Sequence, residues 1–352
     1  MLFLKSILLI SLLFLSYFYI YIPYKYNLPI SDHSDGKKFY NLNHKNETKQ
    51  SFSKFLKWLF EINQTRSKWP KHIEIEKYDN PPSIVTNKND LRVSFVNHAS
   101  FLIQTNGVNI ITDPIYSKRA SMFQFLGPQR VSECGVKFKD LPKIDIVIVS
   151  HNHYDHLDKD TIYNLWRDHN PLFITPLRND DLIKSYAPKA RVVSLDWYQT
   201  NKFNNDIKIS LEPSHHWSSR WGFDKNRMLW GTFIIETEQG SIIFIGDTGY
   251  DEKIFKDIGK KYQNIILSII PIGAYEPRYI MQNSHVDPNE AILIHKDLKS
   301  KQSIASHYIT FQLTDEAYEK PAIDLEKAKL ENQIPNNEFL ALKIGQFIQI
   351  SK

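Results

Sequence analysis

A dense cluster of metal-binding side chains stands near the middle of the sequence. Three histidines and one aspartate fall within six residues, at His151, His153, Asp155 and His156. Neutral imidazoles and carboxylates are good ligands for zinc and for neighbouring transition metals. Residues two apart on an extended or turning segment face the same side, so His151 and His153 can share one metal ion. Asp155 and His156 can turn towards a second ion. The spacing therefore indicates a binuclear metal site rather than a His-rich polar loop.

One cluster cannot complete two sites, because each zinc ion takes about four ligands. Further candidates each come just beyond a predicted strand: His215-His216 after 207–212, Asp247 after 242–245, and His307 after 303–306. Taken alone, each of them would be interpreted as an ordinary surface or core residue. Because a site at one edge of two packed sheets requires this recurrence, we expect these positions to complete the ligand set.

The elements that must position these side chains are short β-rich runs from residue 91 onwards. The run 144–149 has the composition of a buried strand and leads directly into the cluster. Strands first form meanders and later alternate with helices, which predicts an α+β fold of two packed sheets with helices outside. The predicted strands are 91–96, 101–105, 109–112, 144–149, 172–174, 191–195, 207–212, 231–236, 242–245 and 265–270, and the predicted helices are 159–168, 180–186, 288–297 and 324–331.

The composition limits the classes of function. The chain has 352 residues, 42% of them hydrophobic, and a formal net charge of +5. Apolar content of this order excludes a disordered or collagen-like chain, and the length suffices for a large core. A single cysteine, Cys134, excludes an internal disulfide framework and a Cys-rich zinc or iron–sulfur site. The positive charge is too diffuse to predict a nucleic-acid partner.

The N-terminal segment is nearly all apolar from Leu2 to Tyr24. About 20 helical residues span a hydrocarbon core of about 30 Å, and the tyrosines near the end of the segment suit a membrane interface. We therefore predict a transmembrane anchor at residues 1–25, with a cleaved secretory signal as the alternative. Residues 26–89 are predicted to be a linker and an extension that packs on the main domain at 90–352. On this basis we expect a single-pass protein of the bacterial inner membrane, with the side of its main domain left open.

A wider set of motifs resembles one known family. The sequence His151-x-His153-x-Asp155-His156, followed at a distance by three further candidate ligands, is similar to the metallo-β-lactamase superfamily. Within it, the chain resembles the N-acyl-phosphatidylethanolamine-hydrolysing phospholipase D family from about residue 52 to the C-terminus. The other motifs that carry the likeness are Thr112-Asp113-Pro114, Gly127-Pro128, Leu141-Pro142, Pro213-Ser214-His215-His216-Trp217, Gly246-Asp247-Thr248-Gly249-Tyr250, Pro271-Ile272-Gly273-Ala274-Tyr275-Glu276-Pro277-Arg278 and His285-Val286-Asp287-Pro288.

The resemblance implies an αββα sandwich, a hydrolase domain at 90–352 and two zinc ions held by seven side chains. The first ion would be held by His151, His153 and His216, the second by Asp155, His156 and His307, and the bridging ligand would be Asp247. His216 is preferred to His215 because it precedes Trp217, as in the family pattern. The chain departs from that pattern at Asn97, Phe125 and Tyr308, and only the departure at Phe125 bears on substrate contact.

The resemblance also implies roles in the reaction. The predicted catalytic residues are Asp155, Asp247 and His285, and the predicted substrate contacts are Gln124, Phe125 and Arg278. His285 would protonate the leaving group or bind phosphate. Arg278 could pair with phosphate bidentately, with a structural salt bridge as the alternative. Asp113 is a candidate hydrogen-bond partner for a ligand imidazole, with a turn cap before Pro114 as the alternative.

The implied reaction is hydrolysis of N-acyl phosphatidylethanolamine, a membrane phospholipid, to phosphatidic acid and an N-acylethanolamine. A hydroxide shared by the two zinc ions would attack the phosphorus. The alternatives are a dinuclear hydrolase of another ester, such as a lactone, and a non-enzymatic, membrane-anchored metal-binding module. We expect the membrane as a partner and no nucleic acid, and the oligomeric state is left open, with a homodimer as one option.

Overall fold

A computed structural model describes residues 28, 30–42, 57–58, 61, 66–85, 87 and 90–351 of the chain. Residues 57–58 and 61 are helical, and Phe138–Asp140 form a 3-10 turn. The other helices are α1 Lys159–His169, α2 Asn179–Tyr186, α3 Glu252–Lys261, α4 Arg278–Met281, α5 Pro288–Leu298 and α6 Lys320–Glu331. The strands are β1 Ile30–Ser31, β2 Ser34–Asp35, β3 Asp90–Asn97, β4 Ser100–Thr105, β5 Val108–Thr112, β6 Ile146–Ile148, β7 Leu172–Pro176, β8 Arg191–Leu195, β9 Thr200–Lys202, β10 Lys208–Glu212, β11 Thr232–Glu236, β12 Ser241–Phe244, β13 Ile265–Pro271, β14 Ser303–Ser306, β15 Phe339–Leu340 and β16 Phe347–Ser351.

Two sheets of seven strands each build the main domain. The first has the order β16-β3-β4-β5-β6-β7-β8, and the second has the order β15-β14-β13-β12-β11-β10-β9. In the first sheet, β3 to β5 form an antiparallel meander, and β5 to β8 are parallel. The turn between β4 and β5 is Asn106-Gly107, and both residues have positive φ, as a tight hairpin requires. Strand β16, from the end of the chain, returns to pair with β3.

Alternating apolar side chains place the first sheet between two layers. In β6, Ile146 and Ile148 belong to the apolar core that the two sheets share, whereas Val147 packs with Ile162 and Leu165 of α1. This alternation follows from the two-residue period of a strand and marks a strand that is buried on both faces. On the other side, Phe255 of α3 joins the core of the second sheet, together with residues of α5 and α6. The layers are helix, sheet, sheet and helix, so the predicted α+β fold is confirmed.

The described parts of the N-terminal extension contact the main domain. Nε2 of His33 lies 2.8 Å from Oδ1 of Asp196. The backbone N–H of Phe39 donates to the carbonyl oxygen of Asn226, and the N–H of Ile73 donates to the carbonyl oxygen of Val131. The boundaries that the sequence suggests at residues 25 and 89 stay predictions.

The expected single-pass location in the inner membrane is corrected here. No helix of the described residues has the length and apolar character that a bilayer crossing needs. The longest helix with both ends in this part of the chain, α6, has 12 residues. At a rise of 1.5 Å per residue it is about 18 Å long, well short of the roughly 30 Å of a hydrocarbon core. The anchor was assigned to residues 1–25, which lie outside the described residues, and the location rested on that segment alone.

Candidate metal centre

The candidate ligands meet because five strands end at one edge of the sandwich. In the first sheet, β5 and β6 are parallel neighbours, so Asp113 and the segment that starts at His151 emerge side by side. In the second sheet, β10 and β12 run in the same direction because both pair with the antiparallel strand β11, and β12 to β14 are parallel. His216, Asp247 and His307 follow these strands. Both sheets therefore supply ligands to the same edge.

The first ligand group consists of His151, His153, His216 and Asp247. Nδ1 of His153 lies 2.8 Å from Nε2 of His151 and 3.4 Å from Nε2 of His216. Oδ2 of Asp247 lies 3.9 Å from Nε2 of His151 and 3.7 Å from Nε2 of His216. Ligand atoms around one tetrahedral zinc ion, with bonds of about 2.0–2.1 Å, are about 3.3 Å apart. The four atoms have separations close to those that one metal ion requires.

The second ligand group consists of His98, Asp155, His156 and His307. Oδ2 of Asp155 lies 3.3 Å from Nε2 of His156 and 3.1 Å from Nε2 of His307. Oδ2 of Asp247 lies 3.2 Å from each of the same two imidazole nitrogens. This one oxygen is therefore within reach of both groups, where a ligand that bridges two ions would have to be.

The chemistry of the buried atoms fits a bound cation. Oδ1 of Asp247 and Nε2 of His156 are buried and make no hydrogen bond within the described structure. Burying such an atom without a partner costs about 1–3 kcal/mol. Coordination of a cation would remove that cost.

The electrostatics of the centre favour the ligand forms of five of the candidate ligands. Burial lowers the pKa values of His151 and His216 well below 6.5 and that of His153 to about 4, so these imidazoles keep free lone pairs. Burial alone would raise the pKa values of Asp155 and Asp247. The neighbouring imidazoles, chiefly His156, outweigh it and hold both pKa values well below the usual range. Two ionised carboxylates thus face three neutral imidazoles. Against the effect of burial, the same carboxylates raise the pKa of His307 to about 9 and that of His156 well above 6.5, so these two imidazoles hold protons that a bound cation would displace.

Asp113 holds one ligand of each group in place. Its Oδ2 accepts hydrogen bonds from Nδ1 of His156 and from Oγ of Ser150, both at 2.6 Å. Oγ of Ser150 in turn lies 2.9 Å from Nδ1 of His151. These bonds direct Nε2 of both imidazoles towards the metal positions, as outer partners of ligand histidines do. The carboxylate of Asp113 is therefore part of the centre rather than only a turn cap.

His216 is fixed on both its ring and its main chain. Its Nδ1 lies 2.9 Å from the carbonyl oxygen of Ser284. The side-chain amide of Asn41 donates to the carbonyl oxygen of His216 and accepts from its N–H, at 3.0 and 3.1 Å. The neighbouring His215 belongs to neither ligand group, and its carbonyl oxygen accepts from the N–H of Gly249. Of the adjacent pair, the structure brings His216 to the centre.

The ligand His307 stands on a constrained backbone. Its φ is 62°, in the left-handed region that side chains rarely adopt, and its N–H donates to the carbonyl oxygen of His98. Gly273 lies directly against it, and a Cβ atom at that glycine would be 2.1 Å from the carbonyl oxygen of His307. Only glycine fits there, because a heavy-atom contact of that length is impossible without displacing the ligand.

His98 joins the second ligand group, although the sequence predicted no role for it. Its Nε2 lies 3.0 Å from Oδ2 of Asp155, and burial lowers its pKa to about 3, so its imidazole is neutral. It stands in the tight turn between β3 and β4, with φ of 45°, at the edge where the other ligands lie. A histidine directly after a buried strand was the signal that could have found it.

His285 lies at the rim of the centre. Its Nδ1 is 3.8 Å from Oδ2 of Asp247, and its ring centroid is 5.3 Å from that of His216 and 5.4 Å from that of His307. Its side chain is 14% exposed, whereas that of Asp247 is 2% exposed. Burial lowers the pKa of His285 to about 4. Its position allows contact with a molecule that approaches the two ligand groups.

Arg278 acts on His285 rather than on the ligand groups. Its Nη2 donates to Oε2 of Glu290 at 2.7 Å, and its Nη1 donates to the carbonyl oxygen of His285 at 2.8 Å. Asp287 and Glu290 form the capping box that begins α5. The structure therefore contains the salt bridge that was the alternative role for Arg278, and phosphate binding by this residue stays a prediction.

Gln124 and Phe125 lie in a loop whose contacts are internal. The amide of Gln124 accepts from the N–H of Arg119 and donates to its carbonyl oxygen. Phe125 is 79% exposed and stacks on Phe123. The described contacts do not join either residue to the ligand groups, and their role in substrate binding stays a prediction.

Comparison with known proteins assigns this fold and centre to a class. Residues 108–308, more than half of the chain, match the beta-lactamase superfamily domain. A metallo hydrolase from the archaeon Ignicoccus hospitalis has a similar fold, with a TM-score of 0.56 and 19% identity over 75% of this chain and 99% of that one. The protein is a metal-dependent hydrolase of the metallo-β-lactamase superfamily.

Sequence relatives narrow the class to one family. The N-acyl-phosphatidylethanolamine-hydrolyzing phospholipase D 1 of Caenorhabditis elegans is 34% identical over 272 residues, which are 74% of this chain and 76% of that protein. The mitochondrial protein of the same description from Saccharomyces cerevisiae is 35% identical over 229 residues, 63% of this chain and 48% of that protein. The chain belongs to the N-acyl-phosphatidylethanolamine-hydrolysing phospholipase D family, as its motifs predicted.

Proposed function

We propose that the protein hydrolyses N-acyl phosphatidylethanolamine to phosphatidic acid and an N-acylethanolamine, with two zinc ions as cofactors. The names of its relatives support the substrate. The observation that supports the proposal most is the pair of ligand groups within reach of the same oxygen, Oδ2 of Asp247. Two adjacent metal positions suit the hydrolysis of a phosphodiester.

The residues that would hold the two ions are those of the two ligand groups, except His98. The first ion would take His151, His153 and His216, the second would take Asp155, His156 and His307, and both would share Asp247. Imidazole and carboxylate are suitable donors for zinc. When bound, the ions supply a water molecule with a pKa near 7 and neutralise charge that builds on phosphate oxygens.

The side chains around the ligand groups prepare the centre for a phosphodiester. Asp155 and Asp247 stay ionised and offset the charge of the cofactors, and His98 orients Asp155. His285, at the rim, is neutral at pH 7 and offers an imidazole N–H to the phosphate or to the leaving oxygen. In the proposed reaction the oxygen of water bonds to phosphorus, the bond from phosphorus to the ethanolamine oxygen breaks, and that oxygen gains the proton that the water releases, directly or by way of His285.

Three further residues have proposed roles in binding the lipid substrate. Arg278 holds the carbonyl oxygen of His285 and so positions this residue next to the phosphate. Gln124 and Phe125 are proposed to contact the lipid, and the exposed ring of Phe125 provides apolar surface for an acyl chain.

The test is lipid turnover by the zinc-loaded protein, followed by mass spectrometry of both products. We expect an N-acylethanolamine and phosphatidic acid in equal amounts. Asp247→Asn removes the shared ligand and should lower turnover at least about a hundredfold, with loss of bound zinc. Asp160→Asn makes the same charge change at an exposed position of α1, and this variant should keep both the turnover and the bound zinc.

Two outcomes would overturn the proposal. Full turnover by metal-depleted Asp247→Asn would exclude a role for the metals in the reaction. Turnover of a lactone without any turnover of the lipid, in the same substrate panel, would assign the centre to another ester.

A further inference from the structure

In a cavity separate from the metal centre, all the charged residues that line it are positive. It has a volume of about 550 Å³, and Arg66, Lys71 and Arg130 line it together with Trp69, Pro128 and Gln312. None of its described lining residues is an aspartate or a glutamate. Three cations around one space repel each other, and this repulsion is weaker when an anion lies between them.

The cations of this cavity have neutral partners. Nη2 of Arg66 donates to the carbonyl oxygen of Gln312, and its Nε is buried without a hydrogen-bond partner in the described structure. Arg130 donates to the carbonyl oxygens of Ser117 and Ile115 and to Sγ of Cys134. Within the described residues, no ion pair joins Arg66, Lys71 or Arg130 to a carboxylate. No carboxylate of the described residues therefore neutralises their charges.

A further cation, Arg119, is bonded to two residues that line the cavity. Arg119 donates to the carbonyl oxygen of Gly127 and to Oε1 of Gln129, and both of these residues line the space. Its Nε, like that of Arg66, is buried without a hydrogen-bond partner among the described residues. Buried N–H groups of this kind are costly unless something accepts from them.

The cavity lies one aromatic ring away from the metal centre. The guanidinium of Arg130 is 5.5 Å from the ring centroid of Phe311. The ring centroid of Phe311 is 5.4 Å from that of His98, in an edge-to-face arrangement. The residues of the two ligand groups do not line the cavity. It is therefore a neighbouring site with its own walls.

We propose that this cavity binds an oxyanion of the phosphate class, carried by a lipid headgroup or present as free phosphate. Arginine forks and lysine ammonium groups are the usual partners of phosphate oxygens. The chain just before Gly127 exposes Phe123, Phe125 and Leu126, the last two at 79% and 64%. An acyl chain attached to the phosphate would find apolar surface there, which favours the lipid source. The inference does not depend on the reaction proposed for the metal centre.

The test is titration calorimetry on the zinc-loaded protein with two probes, dihexanoyl phosphatidic acid and inorganic phosphate. The Arg66→Gln/Lys71→Gln variant removes two cations from the cavity and should bind phosphatidic acid at least about tenfold more weakly than the wild type. Lys71→Glu changes one exposed residue without touching the core and should also weaken binding. Lys202→Gln/Lys208→Gln removes the same charge from β9 and β10 and should bind like the wild type.

The two probes distinguish the sources. Weaker binding of phosphatidic acid alone would assign the site to a lipid phosphate, and parallel weakening of both probes would show that it also accepts free phosphate. Equal affinities and stoichiometries for all four proteins would overturn the inference, because the binding would then belong to the metal centre. Lipid hydrolysis, measured separately, reports on the proposed reaction.

Discussion

At the scale of single residues, Asp113 connects the two ligand groups. One carboxylate oxygen accepts from His156 of the second group and from Ser150, which in turn contacts His151 of the first group. Its other oxygen accepts from the N–H of Ser150 at 2.7 Å. A carboxylate in this position sets the orientation of two imidazoles and strengthens them as ligands. A change at Asp113 should therefore affect both metal positions together.

Asp113→Asn should weaken zinc binding by about 10–100-fold. The amide of asparagine has only one acceptor oxygen, and its NH2 group would face one of the groups, on Ser150 or His156, that now donate to Asp113. Competition with a coloured chelator measures the affinity. Asp160→Asn is the matched control at an exposed position. Unchanged affinity in a folded Asp113→Asn protein would contradict the role that we assign.

The local sequence indicated which candidate ligands would lie together better than it indicated the contacts that support them. His151, His153, Asp155 and His156 lie within one motif, and a strand before each distant ligand indicated the common edge. The side-chain amide of Asn41 bonds to the main chain of His216, which lies 175 residues further along the sequence. Contacts of this kind depend on how the sheets and the extension pack, and no local spacing encodes them.

At the scale of elements, the ends of β13 and β14 must approach each other closely. β14 leads into His307, and the turn after β13 brings Gly273 against its carbonyl oxygen. The turn after β12 is similarly close, because a Cβ atom at Gly246 would lie 2.6 Å from Cβ of Ser150. Small residues next to the ligands thus allow neighbouring strand ends to hold a compact centre.

Gly273→Ala should displace His307 and lower the zinc content to less than two ions per chain, because the new methyl group overlaps its carbonyl oxygen. Metal analysis of the purified protein measures this effect. Gly222→Ala adds a methyl group in open space, at the cost of its left-handed φ only, and is the control. Full zinc content in Gly273→Ala would show that the strand ends can move apart.

Most elements followed from local patterns, and the exceptions have physical reasons. β16 pairs with β3, which is distant in sequence, and its half-exposed residues give a weak apolar signal. α3 was not predicted, although Asp251 caps it and Ile254, Phe255 and Ile258 form its buried side. α6 begins at Lys320, four residues before the predicted start, because Pro321 is tolerated in the first turn of a helix.

At the scale of the whole molecule, a buried histidine fastens the N-terminal extension to the main domain. Nδ1 of His33 lies 2.6 Å from Oδ1 of Asp32, and its Nε2 lies 2.8 Å from Oδ1 of Asp196. Its ring centroid is 4.4 Å from that of Trp197. Burial opposes a charge on this imidazole, but the hydrogen bonds to Asp196 and Asp32 outweigh it and raise the pKa of His33 above 6.5.

This contact should make stability depend on pH. A raised pKa in the folded state means that the stabilisation is complete below pH 6.5 and is lost as the pH rises through the folded-state pKa. Relative to His33→Gln, the free energy of unfolding of the wild type should therefore fall as the pH rises from 6.5 into the alkaline range. Urea denaturation of both zinc-loaded proteins measures it. A difference that stays constant over this range would contradict the assignment.

Removal of metal should destabilise the molecule, because the ligand groups exist only in the folded state. At a thousandfold excess over Kd, a bound metal contributes about 4 kcal/mol, and its removal should lower Tm on the order of 5–10 °C. Calorimetric scans before and after chelation, and after zinc is restored, measure the change. Asp247→Asn should not respond to zinc. Equal Tm values with and without metal would contradict this expectation.

The order of the ligands along the chain has a consequence for biosynthesis. The first sheet contributes its last ligand at His156, and the second sheet contributes His307, about 150 residues later. A nascent chain that includes only the first sheet supplies only part of the two ligand groups, so it can bind a cation only weakly. Both ligand groups are therefore complete only after the nascent chain has been synthesised as far as His307.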